Sequence, residues 1–190
     1  MKKLILILFI PLLSFGQNNN ISIEVNKNYK LVTENLMDSI FSKTNNEYNF
    51  ISDSEQENLL LKIRQKNSRY YVEKQSEYYN FSNNILLLEL NQGRILINQE
   101  YAKDIVEKAT DELEKSGFTI NSYNSGLDYL NGAKYIYWEF SAKNPSIKTT
   151  QSEYQFGMII QHIFSQHYIL INSSDKIDFK NFINIKIGSD

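Results

Sequence analysis

Hydrophobic and polar residues alternate in several short segments of the chain, which is the pattern of half-buried β-strands. The clearest examples run from Ile21 to Val25 and from Ile183 to Ile187. Strongly apolar segments from Lys134 to Ala142 and from Tyr154 to Asn172 predict further strands, the second of them with a turn near Ser165-Gln166. We therefore expect the last third of the chain to form an antiparallel sheet.

Aromatic and aliphatic runs predict additional strands in the middle of the chain. Arg69 to Glu73 and Glu77 to Phe81 are rich in tyrosine and phenylalanine and are joined by a short polar segment, which favours a hairpin. Ile85 to Leu90 is a nearly unbroken apolar run that ends at the turn-forming residues 91–93, so Arg94 to Ile97 is predicted to return as a strand.

A helical period replaces the alternation over residues 99–116. One face of this predicted amphipathic helix carries Ala102, Ile105, Val106, Ala109 and Leu113. Gly117 follows at the position of a left-handed helix cap. Shorter helices are predicted from Thr33 to about Thr44, and over residues 53–66 after the capping box that Ser52 and Glu55 form. The sequence thus predicts an α+β fold with an antiparallel sheet.

The first 16 residues have the three parts of a secretory signal peptide. Lys2 and Lys3 supply the positive charge, Leu4 to Leu13 the apolar segment, and Ser14-Phe15-Gly16 the small residues before a cleavage site. The apolar segment is shorter than the about 20 residues that a membrane-spanning helix needs. This N-terminus resembles those of exported proteins from Bacteroidetes-type bacteria, and we expect a periplasmic or secreted protein without stable membrane insertion.

The remaining chain has no repeat, proline-rich linker or block of like charges. We expect residues 17–20 to be a disordered spacer and residues 21–190 to form one α+β domain. The 190 residues include no cysteine, which excludes disulfides, thiolate metal sites and cysteine nucleophiles. With 20 basic and 22 acidic residues, the chain lacks the positive charge typical of nucleic-acid-binding proteins.

The segment from about Ile85 to Ile187 resembles the Mog1/PsbP-like fold. The matching features are the helix from Glu100 to Lys115, the strand that begins at Gly132-Ala133-Lys134 and reaches Phe140, the segment from Gln161 to Ile171, and the final strand at Phe182 to Ile185. The resemblance implies an α+β fold with a long bent hairpin. It implies no particular activity, because proteins of this fold serve as photosystem accessory proteins, as a Ran-binding protein and in other roles.

Two glutamates lie within apolar strand patterns and are candidate catalytic residues. A pair of buried carboxylates is the core of glycoside hydrolysis, so Glu89 and Glu139 are considered as an acid and base pair. The alternation places Glu139 on the face of Tyr135 and Tyr137, and Glu89 opposite Leu88. Both positions also fit ordinary glutamates on the wetter face of a sheet.

The chain has two histidines, His162 and His167, which we consider as candidate metal ligands. A turn at positions 165 and 166 places both rings on one face of a hairpin as diagonal neighbours. A metal would need a further ligand, for which Glu153 and Asp175 are available. Two ordinary histidines on a sheet surface are the simpler explanation of the pattern. No cofactor is expected, because the phosphate-binding, dinucleotide and zinc-helix motifs are absent from the sequence.

Paired tyrosines at Tyr70-Tyr71 and Tyr78-Tyr79 are the candidate binding residues. Adjacent side chains of a strand point to opposite faces, so one ring of each pair is expected to point away from the core. Exposed tyrosines combine apolar area with a hydrogen-bonding hydroxyl and suit a protein or sugar partner.

Three functions are consistent with these patterns. The favoured one is an exported, non-catalytic binding or accessory protein that contacts an envelope protein through an aromatic sheet face. The alternatives are a glycan-active hydrolase that uses the two glutamates, and a carrier with an apolar cavity between the main helix and the sheet that takes a small ligand as its partner.

Overall fold

The computed structural model describes residues 21–37, 61, 64, 67–75, 79–90, 95–143, 152–162 and 165–188. The predicted signal peptide, the spacer and most of the two shorter predicted helices lie outside these residues. The start of the first of those helices is described: residues 34–37 are helical, and the Leu36 amide donates to Thr33 Oγ1 over 3.2 Å. Of the second helix, Leu61 and Arg64 are described, and both are helical.

The described residues form a mostly antiparallel β structure with one main helix, which confirms the coarse α+β prediction. The elements are, in chain order, β1 (Ile21–Val25), β2 (Tyr29–Leu31), β3 (Ser68–Lys74), β4 (Tyr79–Glu89), α1 (Gln99–Lys115), β5 (Thr119–Leu130), β6 (Ala133–Lys143), β7 (Glu153–His162), β8 (Ser165–Ser173), a 3₁₀ turn (Phe179–Asn181) and β9 (Ile183–Ile187). Seven strands form one sheet in the order β2-β3-β4-β8-β7-β6-β5, and β1 pairs with β9 as a separate two-stranded ribbon. No helix in the described ranges is both long and apolar enough to cross a membrane.

The terminal ribbon covers one face of the seven-stranded sheet, which we call the ribbon face. Ile21 and Ile23 of β1 and Ile183 and Ile185 of β9 are buried in one cluster with apolar side chains of β4, β6, β7 and β8. Full burial of one such isoleucine stabilises the fold by about 1.5–3 kcal/mol. The ribbon therefore joins the two ends of the described chain and closes the larger of its cores.

Helix α1 covers part of the opposite face, which we call the helix face. Ala102 and Val106 are buried against Ile136, Trp138 and Ile159 of the sheet. The helix begins where the Tyr101 amide donates to Asn98 Oδ1 over 2.7 Å, and it ends before Gly117, whose φ is +88°. The helix predicted over residues 99–116 is confirmed.

A buried glutamine holds the segment before α1 onto the sheet. Gln166 Nε2 donates to the Ile95 carbonyl over 2.9 Å, and the Ile95 amide donates to Gln166 Oε1 over 3.0 Å. The side chain thus satisfies both backbone groups of Ile95 as a neighbouring strand would. The strand predicted from Arg94 to Ile97 is not formed over its described residues, 95–97.

The structure corrects two other boundaries. Tyr79–Glu89 is one continuous strand rather than the end of a hairpin followed by a second strand. Its polar middle is compatible with a strand because Asn83 Nδ2 donates to Glu73 over 2.8 Å and Asn84 Nδ2 to the Phe81 carbonyl over 2.8 Å. The turn predicted at Ser165-Gln166 is also wrong, since both residues lie within β8 and pair with His162 and Gln161 of β7.

After the main helix the sequence predicts only the beginning of a strand, at Phe118 to Ile120, whereas strand β5 continues to Leu130. It pairs with β6 along its whole length, and the two strands are joined by Asn131-Gly132. Both of these residues have positive φ, +48° and +84°, as a type I′ hairpin turn requires.

We expect the Gly157→Ala substitution to destabilise the fold by about 3 kcal/mol. A Cβ at Gly157 would collide with the indole ring of Trp138, which is only 2% exposed and is packed in the core beneath α1. Denaturant unfolding of the wild type, Gly157→Ala, Trp138→Leu and the double variant measures the effect. If Gly157→Ala lowers the free energy of unfolding less in the Trp138→Leu background than in the wild type, the packing is supported. An equal loss in both backgrounds would contradict it.

Candidate functional site

The candidate tyrosines on β3 and β4 belong to the cores. Tyr70 is 6% exposed and packs with Val32, Met37 and Val72, and its burial raises its pKa. Tyr71 points to the ribbon face, as the alternation predicts, but it is half-buried against the larger core. Tyr79 is half-buried beside the Tyr70 cluster, and Tyr78 lies outside the described residues. The prediction of an outward-facing ring is therefore wrong for Tyr70 and Tyr71, because both faces of the sheet are covered at β3.

The two candidate glutamates lie on the same face but far from each other. Both point to the ribbon face, as the alternation predicts, with Glu89 opposite His167 and Glu139 opposite Phe156. Three strand spacings and four residues along the strand separate them, which corresponds to about 20 Å. Glycosidase carboxylates lie about 5 to 9.5 Å apart. The structure therefore does not bring them together as an acid and base pair.

The two histidines lie near the turn of the β7–β8 hairpin. His162 pairs with Ser165, and His167 with Ile160, so both rings share the ribbon face as diagonal neighbours. The carboxylates proposed to complete a metal site are at the other end of the hairpin, because Glu153 begins β7 and Asp175 follows β8. No group of three or more ionisable ligands with the geometry of a metal site occurs in the part of the chain that the structure describes.

His167 is buried in a position that disfavours its charged form. Burial lowers its pKa below the ordinary value, the nearby Glu89 carboxylate opposes this shift, and Arg69 adds to it. The neutral ring is thus the form that fits the folded protein.

We expect the buried His167 to make the protein less stable as the pH falls from 7.5 to 5.5. Below about pH 6.5 the unfolded chain binds a proton at this position that the folded chain binds less readily, so protonation favours unfolding. This loss of stability is absent above the pKa that His167 has in the unfolded chain. It grows as the pH falls toward the lower pKa that His167 has in the folded protein. Urea unfolding at both pH values should show a shallower pH dependence for His167→Gln than for the wild type. Equal dependence in both proteins would contradict this role.

The most exposed large aromatic side chains of the described residues lie on β5. Tyr123 is 58% exposed and Tyr129 is 63% exposed, and both point to the helix face. Within the described residues β5 pairs only with β6, so its other edge presents backbone groups that have no strand partner. One of them, the Tyr129 amide, donates to Asp128 Oδ1 over 2.7 Å, so the Asp128 side chain caps the edge at this position. Asp128 is the one charged residue of this strand, and β5 contains no lysine, arginine or proline. Protective residues of these kinds usually blunt a free edge.

Tyr137 and Tyr135 of β6 hold β5 from the ribbon face. The ring of Tyr137 lies over Gly126, where an added Cβ would be 2.8 Å from Tyr137 Cε1. The Tyr135 hydroxyl donates to Asp128 Oδ2 over 3.2 Å, and burial together with the Asp128 carboxylate raises the pKa of Tyr135 to about 12. These contacts fix the position of the edge strand without covering its free side.

A polar cleft of about 590 Å³ runs between α1 and the beginning of β5. Tyr123 forms part of its wall together with three carboxylates of α1, Glu107, Asp111 and Glu114. Lys103 lies 3.5 Å from Glu107 on the same side of the helix and compensates one of these charges. The edge of β5 is therefore bordered by negative charge at its Tyr123 end.

Sequence reasoning missed Tyr123 and Tyr129 because it did not recognise most of β5. An edge strand needs few apolar residues, and the middle of β5 reads as asparagine, serine and glycine. The available signals were the Asn131-Gly132 turn and the strong β6 segment after it, since a hairpin requires a partner strand before such a turn.

A scan against family models and a search of curated proteins found no match for this chain. The resemblance to the Mog1/PsbP-like fold therefore stays a prediction.

Proposed function

We propose that the chain is an exported, non-catalytic binding or accessory protein of the bacterial envelope, and that strand β5 is its contact element. The observation that carries this proposal is the free edge of β5, with Tyr123 and Tyr129 exposed on one face. A free edge binds an extended segment of another protein through backbone hydrogen bonds, and exposed tyrosines add side-chain contacts. Export is supported by the charge, apolar and small-residue pattern of residues 1–16.

The arrangement of the other candidates favours binding over catalysis. Glu89 and Glu139 lie about 20 Å apart by sheet spacing, which is too far for a shared glycosidic bond. The space between α1 and β6 is filled by Ala102, Val106 and Trp138, whereas a carrier of apolar ligands needs a cavity there. The cleft beside β5 is polar and suits a polypeptide better than an apolar ligand.

We expect the Tyr123→Ser/Tyr129→Ser double variant to lose its envelope partner. Interface tyrosines commonly contribute about 2 kcal/mol each, which corresponds to an about 30-fold loss of affinity for one ring. The exported chain, its double variant and a Leu96→Ser control are used to capture proteins from a native envelope extract, with quantitative mass spectrometry. Leu96 is 80% exposed but lies outside β5, so its replacement controls for a general loss of surface hydrophobicity.

A protein captured by the wild type and by the Leu96→Ser control, but lost with the double variant, is the expected result. A partner captured equally by all three chains would place the contact elsewhere on the molecule and contradict the role of β5.

A further inference from the structure

We infer that β5 also pairs with β5 of a second copy of this chain, antiparallel and centred on Gly126, to form a two-fold dimer with one continuous sheet. This inference rests on the proposed role of β5 as a contact element. The second copy and the envelope partner then compete for the same edge.

The positions of the tyrosines support this register. Tyr123 and Tyr129 lie three residues before and three residues after Gly126. In antiparallel pairing about Gly126, Tyr123 of each copy is directly opposite Tyr129 of the other, and opposite side chains share a face. Two cross-strand tyrosine pairs form, and such aromatic pairs stabilise a sheet. The two α1 helices lie on the same side of the joined sheet, because the tyrosines of both copies point to the helix face.

The charges of the strand fit the same register. Asp128 lies opposite Asn124 of the second copy, and the two Asp128 side chains stay apart. Within one copy Asn124 Nδ2 donates to Glu139 Oε1 over 3.3 Å, which leaves its second amide hydrogen to donate to the carboxylate of the other copy. A register centred on Asp128 would instead oppose the two carboxylates and cost stability. The pairing extends from Ser122 to Leu130 and stops at the irregularity between Ile120 and Ser122.

Charges beside the strand are also complementary. The Tyr123 end of β5 borders the carboxylates of Glu107, Asp111 and Glu114, while Tyr129 pairs with Lys134 of β6. Two-fold pairing brings the Tyr123 end of one copy to the Tyr129 end of the other. The acidic cleft of each copy therefore faces the side of the sheet that carries Lys134 of its partner copy.

Gly126 at the centre leaves room on the ribbon face. The ring of Tyr137 already lies over Gly126 within one copy. With glycine opposite glycine across the two-fold axis, no side chain separates the two Tyr137 rings.

The register is tested by cross-linking in a chain that contains no cysteine of its own. Tyr123→Cys and Tyr129→Cys variants are purified separately, mixed and oxidised mildly. Neither variant alone should cross-link, because equal positions of the two copies are about 20 Å apart in this register. The mixture should form a covalent dimer, since positions 123 and 129 are opposite neighbours. A mixture of Tyr123→Cys with Leu96→Cys controls for random collisions.

A mixture that gives no more covalent dimer than the separate variants would overturn the inference, as would equal cross-linking of one variant with itself. A monomer mass for the wild type in light scattering would also overturn it.

Charge variants provide a second measurement that needs no oxidation. Tyr123→Lys/Tyr129→Lys places like charges opposite each other and should halve the molar mass to that of a monomer. Tyr123→Lys/Tyr129→Glu places opposite charges there and should restore the dimer at low salt. Monomers of both double variants would contradict the Gly126-centred register.

The two proposals can fail separately. A monomeric wild type whose envelope partner is lost with the Tyr123→Ser/Tyr129→Ser variant overturns the dimer and leaves the proposed function standing. A cross-linked dimer whose partner is unaffected by that variant overturns the role of β5 in envelope binding alone.

Discussion

The central strands of the sheet are apolar on both faces, and the rest of the structure follows from the need to cover both. In β7, Phe156, Met158 and Ile160 point to one face and Ile159 to the other, and all four are buried. The ribbon of β1 and β9 covers the first face and α1 covers part of the second. Strand pairing between residues at opposite ends of the described chain is thus a requirement of the core. The exposed ion pair between Lys186 and Glu24, at 2.6 Å, accompanies this pairing, but it lies in solvent and adds little to stability.

The same requirement determines where a binding surface can lie. Tyrosines on β3 and β4 are drawn into the cores, because the sheet is covered on both sides at that end. Strand β5 lies at the other end, is polar, and is held to β6 by the Tyr137 ring over Gly126. Among the described residues no strand pairs with its outer edge, and Tyr123 and Tyr129 are exposed. This edge, which has no strand partner in the described part of the chain, and its two exposed tyrosines are the basis of both proposals.

The sequence predicted the elements that have a strong period or a strong apolar content. Helix α1, β1, β6 and β9 were recognised because their patterns need no partner to be visible. Polar strands were not recognised. In the middle of β4 the pairing with β3 is irregular next to Glu73, which accepts hydrogen bonds from Asn83 and Asn80, and such long-range bonds leave no periodic signal. The β7–β8 turn was misplaced because the sequence gives no turn signal before Ser165, where β8 already begins.

The candidate site was less predictable than the fold. Adjacent tyrosines indicated aromatic content correctly, but burial depends on layers that the local sequence does not encode. The faces of Glu89 and Glu139 followed from alternation, while their separation depended on the strand order, which alternation does not give. The chain position of Gln166 likewise gave no sign that its side chain pairs with Ile95.

Residue-resolved amide hydrogen exchange over a dilution series is the most direct test of β5 as a contact edge. The account predicts that every second amide of β5, those pointing away from β6, exchanges slowly in concentrated protein and rapidly after dilution. The amides of β7 and β8 should remain slow throughout, because both strands are central in the sheet. Exchange at β5 that is equally fast, or equally slow, at every concentration would contradict the account.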